Sequence, residues 1–175
     1  MRVVAGRYSG RRLAAPAGRA TRPTADRVRE ALFSALGPLE GARVLDLFAG
    51  SGALGIEALS RGAAEATFVD SDPRAIRAVR DNLAALGIDA EVRRADARAF
   101  LRTAREQQRH YDLVFLDPPY RLAGRLGPGL SSALPEVIAP GGRVVTESDR
   151  RAPLMLELDL IDERRYGDTL IRIHR

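Results

Sequence analysis

Five acidic residues close apolar runs along the chain: Asp46 after Val44-Leu45, Asp70 after Phe68-Val69, Asp96 after Arg94-Ala95, Asp117 after Phe115-Leu116, and Glu147 after Val145-Thr146. Their spacings are 24, 26, 21 and 30 residues, each the length of one strand–helix unit. If the runs are strands of a parallel sheet, the five carboxylates line one edge, where open α/β sheets bind their ligands. Helix capping explains single acids at such places, but it leaves a row of five unexplained. This edge repels phosphate. Oxygen-ligated Mg²⁺ fits less well, because such sites usually bring phosphate substrates and basic side chains with them. The better match is a ligand rich in donors: an amino group, a ribose diol, an adenine amine and a cationic centre. S-adenosylmethionine carries all four.

Two segments between these acids have chemistry of their own. Phe48-Ala49-Gly50-Ser51-Gly52-Ala53-Leu54-Gly55 contains Gly-x-Gly-x-x-Gly, and Asp70 falls 20 residues past Gly50, where a ribose-binding acid belongs. That pattern alone fits NAD as well as S-adenosylmethionine. Asp46 tips the balance, because a carboxylate is unfavourable beside a pyrophosphate yet can receive a methionine ammonium. Asp117-Pro118-Pro119-Tyr120 is the second segment. Its prolines restrict the backbone, so the Asp117 carboxylate and the Pro118 carbonyl can face one point. Two acceptors there suit a planar exocyclic NH₂, and Tyr120 offers a face on which an extruded base can stack.

The elements that must position these groups follow from periodicity. Residues 43–47, 66–70, 91–93, 111–117 and 143–147 read as strands, and 25–36, 53–60, 73–86 and 97–107 as helices, with Thr24 the expected N-cap of the first. Residues 2–5 and 11–14 suggest a small hairpin. Residues 154–161 and 169–173 suggest a closing antiparallel pair, and the Gly/Pro-rich stretch 124–129 is left unassigned. Such alternation predicts an α/β, doubly wound, mainly parallel sheet. The expected organisation is a basic extension over residues 1–40 and a catalytic domain over 41–175.

Composition narrows the chemistry further. The 175 residues hold 28 basic side chains, all Arg, and no Cys. This excludes P-loop and Schiff-base lysines, thiolate zinc and cysteine nucleophiles. Two histidines, His110 and His174, do not suggest a metal site, and both are expected at the surface or at strand ends. No apolar run reaches the roughly 20 residues that span a bilayer, and no signal-peptide pattern opens the chain, so a cytoplasmic monomer is expected. The net charge of +5 sits at the N-terminus, where the first 30 residues hold eight Arg against Asp26 and Glu30. Arg7, Arg11, Arg12, Arg19, Arg22 and Arg27 are therefore the candidates for gripping nucleic-acid phosphates, although Arg22, Thr24 and Arg27 could instead reach the cofactor's carboxylate end.

Val44 to Gly52 with Asp117-Pro118-Pro119-Tyr120 resembles the class I amino-methyltransferases. Arg2-Val3-Val4-Ala5-Gly6, Gly10-Arg11-Arg12-Leu13, the block from Arg22 to Phe33, and Tyr166-Gly167-Asp168-Thr169 narrow the resemblance to the RsmD family of bacterial 16S rRNA guanine-N2 methyltransferases. It implies a Rossmann-like seven-stranded fold, S-adenosylmethionine as methyl donor, no metal, and rRNA in an assembled or assembling small subunit as substrate. It also implies that Asp70 binds the ribose hydroxyls, Asp96 the adenine amine, and Asp117 to Tyr120 the target guanine. Ser71 and Ala97 are placed with the acids they follow. A DNA adenine methyltransferase would also use Asp-Pro-Pro-Tyr, but no insertion here is large enough to read a major groove. A glutamine methyltransferase would more usually carry Asn at position 117, and an NAD enzyme leaves that segment without a purpose.

Overall fold

The computed structural model describes residues 1–16 and 26–175, apart from the side chains of Tyr120 and Arg121. Its elements are α1 (Asp26–Leu36), β1 (Arg43–Asp46), α2 (Ala53–Ser60), β2 (Glu65–Asp70), α3 (Pro73–Leu86), β3 (Glu91–Arg94), α4 (Ala97–Glu106), β4 (Tyr111–Leu116), α5 (Tyr120–Ala133), β5 (Ile138–Asp149), β6 (Leu160–Tyr166) and β7 (Thr169–His174). The seven strands form one sheet in the order β3-β2-β1-β4-β5-β7-β6. Strands β1 to β5 pair in parallel, whereas β7 runs antiparallel to both β5 and β6.

Strands β1, β2 and β4 are buried on both faces, so their side chains alternate between two cores. Val44, Phe68, Leu113 and Phe115 join the core that also holds Leu32, Phe33, Ile56 and Val79 from α1, α2 and α3. Leu45, Val69, Val114 and Leu116 face the other way, onto Phe100 and Leu101 of α4 and Leu130 of α5. The N-terminal segment belongs to the first core through Val3 and Leu13. Phe33 meets Phe115 with ring centroids 5.7 Å apart, a contact worth about 0.5–1.5 kcal/mol beyond its burial.

Four differences from the sequence reading have physical causes. Residues 2–5 and 11–14 form the expected hairpin only briefly: the antiparallel Arg2–Arg12 bridge is flanked by bonds from Val3 N–H to the Arg11 carbonyl at 2.9 Å and from Leu13 N–H to the Met1 carbonyl at 3.0 Å, while the N–H groups of Val4, Ala5, Tyr8 and Ala14 go to side chains of α2 and α3. Strand β6 begins at Leu160 and not at Leu154. Leu154, Leu156 and Leu158 do alternate, but they pack beside α5, and the Glu157 N–H goes to Ser131 Oγ at 2.9 Å. The unassigned Gly/Pro-rich stretch lies within α5, with Pro128 inside the helix. There the complete burial of Ala123 and Leu130 overrides weak helix propensity. Finally, Glu147 lies inside β5, because pairing with β7 carries that strand on to Asp149; only its parallel register with β4 stops at Thr146. Thr24 and Ala25 lie outside the described residues. His110 is exposed, while His174 sits at the end of β7 but is buried, with burial lowering its pKa.

Candidate active site

The chain builds β1, β2 and β3 outward, then returns to place β4 on the other side of β1. This reversal opens a crevice above the carboxyl ends of β1 and β4, the usual ligand position in such sheets. The loop after β1 is tied across it: Leu47 N–H donates to the Phe115 carbonyl at 3.1 Å, and Ala49 N–H to the Val69 carbonyl at 2.9 Å. A shallow cavity of about 330 Å³ lies at the opposite edge, among Leu39, Ala42, Asp112 and Arg143, away from these groups.

Asp46 is buried, and its Oδ2 accepts from Gly55 N–H at 3.0 Å. Burial pushes its carboxyl up to about 7; the Gly55 bond opposes the rise and the charge of Asp70 adds to it. Asp46 therefore ties α2 to the strand below it. A Cβ on Gly55 would stand 2.4 Å from the Phe68 ring, so only glycine lets α2 lie this close to β2. Asp70 accepts from Gly50 N–H at 3.0 Å and from Asp72 N–H at 2.9 Å, one bond to each oxygen. Each oxygen keeps acceptor capacity for a ribose diol. At Gly50 a Cβ would meet nothing nearer than 3.9 Å, so the backbone there is open to a ligand. Ala49 and Ser51 are buried, Phe48 half-buried and Ser71 exposed. These features fit the donor-rich cofactor expected from the sequence.

Asp96 is exposed and caps α4, accepting from Arg98 N–H at 2.9 Å and Ala99 N–H at 3.2 Å through Oδ1, with Ala97 buried behind it. Asp117 directly follows β4, beside the loop after β1, and is half-buried; Pro118 is buried and Pro119 caps α5. The Asp117 carboxylate and the loop from Phe48 to Gly52 thus rise from neighbouring strands, in register through the Asp46–Phe115 pair. The side chain of Tyr120 lies outside the described residues. Among the described residues no group of three or more His, Cys, Asp or Glu side chains could hold a metal ion.

Among the arm residues, Arg7, Arg11, Arg12 and Arg27 are exposed, and Arg19 and Arg22 lie outside the described residues. Arg11 also donates to the Ala85 carbonyl at 2.8 Å, and Arg7 lies over the Tyr8 ring. The sequence reading missed the residues that hold this arm. Glu57, fully buried, accepts from Val4 N–H at 2.7 Å and Ala5 N–H at 3.0 Å. Ser60 Oγ accepts from Tyr8 N–H at 2.9 Å. Arg29, also buried, donates to the Arg2 carbonyl and pairs with Asp26 at 2.6 Å. Asn82 on α3 bonds both to the arm and to the Ser51 carbonyl. Their signal was present: a Glu, an Arg and an Asn on otherwise apolar helix faces must find partners when buried.

The family model described as "Conserved hypothetical protein 95" matches residues 1–175. YlbH of Bacillus subtilis is 42% identical over 183 residues, covering 100% of this chain and 98% of YlbH. Ribosomal RNA small subunit methyltransferase D of Haemophilus influenzae is 35% identical, covering 100% of this chain and 93% of its own length. The chain belongs to the RsmD family. A hypothetical protein of Thermus thermophilus superposes on it with a TM-score of 0.86 at 32% identity, over 100% of this chain and 99% of that one. The fold of this RsmD-family member is accordingly the Rossmann-like methyltransferase fold. Among its described residues no helix is long and apolar enough to cross a membrane.

Proposed function

We propose that this RsmD-family protein transfers a methyl group from S-adenosylmethionine to the exocyclic N2 amine of a guanine in 16S rRNA of the small ribosomal subunit. The coarser statement, an rRNA methyltransferase, rests on relatives named for that activity. The observation that supports an exocyclic amine as acceptor is the position of Asp117 and Pro118 at the end of β4, next to the glycine loop on β1; guanine N2 in 16S rRNA rests on the RsmD-family resemblance.

When bound, S-adenosylmethionine supplies an electrophilic methyl group on a cationic sulfur. Asp70 accepts the ribose hydroxyls, Asp96 the adenine amine, and Asp46 lies where the methionine ammonium is expected; Phe48 to Gly52, Ser71 and Ala97 line the same site. The Asp117 carboxylate and the Pro118 carbonyl accept the two hydrogens of the guanine amine. Holding those hydrogens in one plane would turn the nitrogen lone pair toward the methyl group, so that the N–C bond forms as the S–C bond breaks; the carboxylate would stabilise the positive charge that develops on the nitrogen and receive the one proton it then loses, passing it to water. Pro119 stiffens this turn, and Tyr120 stacks on the extruded base. Arg7, Arg11, Arg12, Arg19, Arg22 and Arg27 hold the rRNA backbone.

The test is transfer from labelled S-adenosylmethionine to unmethylated small subunits, naked 16S rRNA and duplex DNA, with mass identification of the modified nucleoside. N2-methylguanosine on the subunit is expected. N6-methyladenine in DNA would keep the cofactor and the role of Asp117 but overturn the substrate and the role of the arm.

A further inference from the structure

We infer that Asn82 is a positioning residue that couples the occupancy of the cofactor loop to the grip of the N-terminal arm on rRNA. The inference rests on the proposed function, since it takes the loop as the cofactor site and the arm as the rRNA contact. Asn82 lies on the apolar face of α3, between Val79 and Leu83, and is buried. Its amide nitrogen donates to the Ser51 carbonyl at 2.9 Å and to the Ala14 carbonyl at 3.0 Å, while its amide oxygen accepts from Ala14 N–H at 2.8 Å. Both amide hydrogens are therefore committed, one to the loop and one to the arm. The planar group cannot turn to follow one partner without losing the other.

Ser51 stands between Gly50, whose N–H is held by Asp70, and Gly52, which opens α2. A ligand that fixes this loop fixes the Ser51 carbonyl, and through the rigid amide it fixes both backbone groups of Ala14. Ala14 ends the arm segment that carries Arg7, Arg11 and Arg12. A second contact runs in parallel, from Ser51 Oγ to Met1 Sδ at 3.3 Å. Glu57 and Ser60, in contrast, bind the arm to α2 without touching the loop, so they hold it in place whether or not the loop is occupied. Linkage is reciprocal: rRNA on the arm must tighten cofactor binding by the same factor. The single hydrogen bond that joins the Asn82 amide to Ser51 limits that factor to about two- to twelvefold.

The experiment measures the affinity of the full-length protein for unmethylated small subunits, without and with saturating S-adenosylhomocysteine, for the native chain and for Asn82→Ala. Hydrogen exchange of both proteins is followed in parallel. In the native chain S-adenosylhomocysteine is expected to tighten subunit binding about fivefold and to slow exchange at residues 3–14. In Asn82→Ala the tightening falls to within about twofold and the arm no longer responds, while residues 48–55 are still protected. Ala14→Pro deletes only the Ala14 N–H and keeps the bond from the Asn82 amide to the Ala14 carbonyl, so its coupling is expected to fall between the native and Asn82→Ala values without opening the core. Equal coupling in native and variant proteins, or none in the native chain, overturns the inference. Failure of the underlying reading looks different: S-adenosylhomocysteine leaves residues 48–55 unprotected, or the native chain does not bind subunits.

Discussion

At the scale of single residues, the proposed mechanism separates binding from transfer. It assigns Asp117 to the reacting amine, so Asp117→Ala is expected to lower kcat by about 10²–10³ while S-adenosylhomocysteine affinity, read by calorimetry, stays nearly unchanged. Asp70→Ala is expected to reverse this: cofactor affinity falls first, because the variant loses the bond to Gly50 N–H and the proposed ribose contact. Asp46 makes a prediction in pH. Its carboxyl is raised from 3.8 to about 7 by burial, so the native chain binds a proton that the unfolded chain has already lost. Its contribution to stability is full below about pH 3.8 and is lost as pH rises through about 7. Urea unfolding of Asp46→Asn should lack this decline between pH 4 and 7. A methionine ammonium beside Asp46 favours the charged form, so S-adenosylhomocysteine affinity of the native chain should rise over the same range; a flat profile would separate Asp46 from the ammonium.

At the scale of elements, the arm is held less by its own pairing than by the helices beneath it. Gly6 has φ +82° and would place a Cβ 1.8 Å from the Ser60 carbonyl oxygen. Gly6→Ala is therefore strained in its backbone by about 1–2 kcal/mol, and the arm must also lift from α2. The expected result is a lower melting temperature, by about 2–4 °C per kcal/mol, with weaker rRNA binding. Unchanged rRNA affinity would mean that the docked position of the arm is irrelevant to the substrate. Helix α5 illustrates the same dependence on neighbours. Pro128 and three glycines argue against a helix, yet Gly127 lies under the Met155 carbonyl and Gly129 under the Arg98 guanidinium, so small residues are what this packing requires.

At the scale of the whole molecule, charge is divided between two surfaces. Carboxylates gather at the carboxyl edge of the sheet, while the cationic excess lies on the arm. This arrangement predicts a steep salt dependence for substrate binding. Replacing Arg7 and Arg12 by Ala should reduce the slope of log affinity against log salt by about 0.7–0.9 for each phosphate that the arm no longer neutralises. An unchanged slope, measured by filter binding over a salt series, would return those arginines to a solvated role.

Strand–helix alternation, the glycine loop and the acids closing β1, β2 and β4 were legible because they rest on local periodicity and on residue types that few other chemistries use. The sequence by itself determined the doubly wound class, and it marked the edge and the residues that we propose meet the cofactor and the reacting amine. Other features depended on partners distant along the chain. The start of β6 was set by its pairing with β7, the helicity of α5 by burial against the sheet, and the place of Glu147 by antiparallel bonds to β7. The cap that Asp96 forms on α4 is local and could be read from its place before a helical run, but only the tertiary structure decided that Asp46 ties down α2 and that Asn82 joins the arm to the loop. Each of these depends on which backbone N–H or carbonyl lies within hydrogen-bond reach, a distance of about 3 Å that no spacing along the chain encodes.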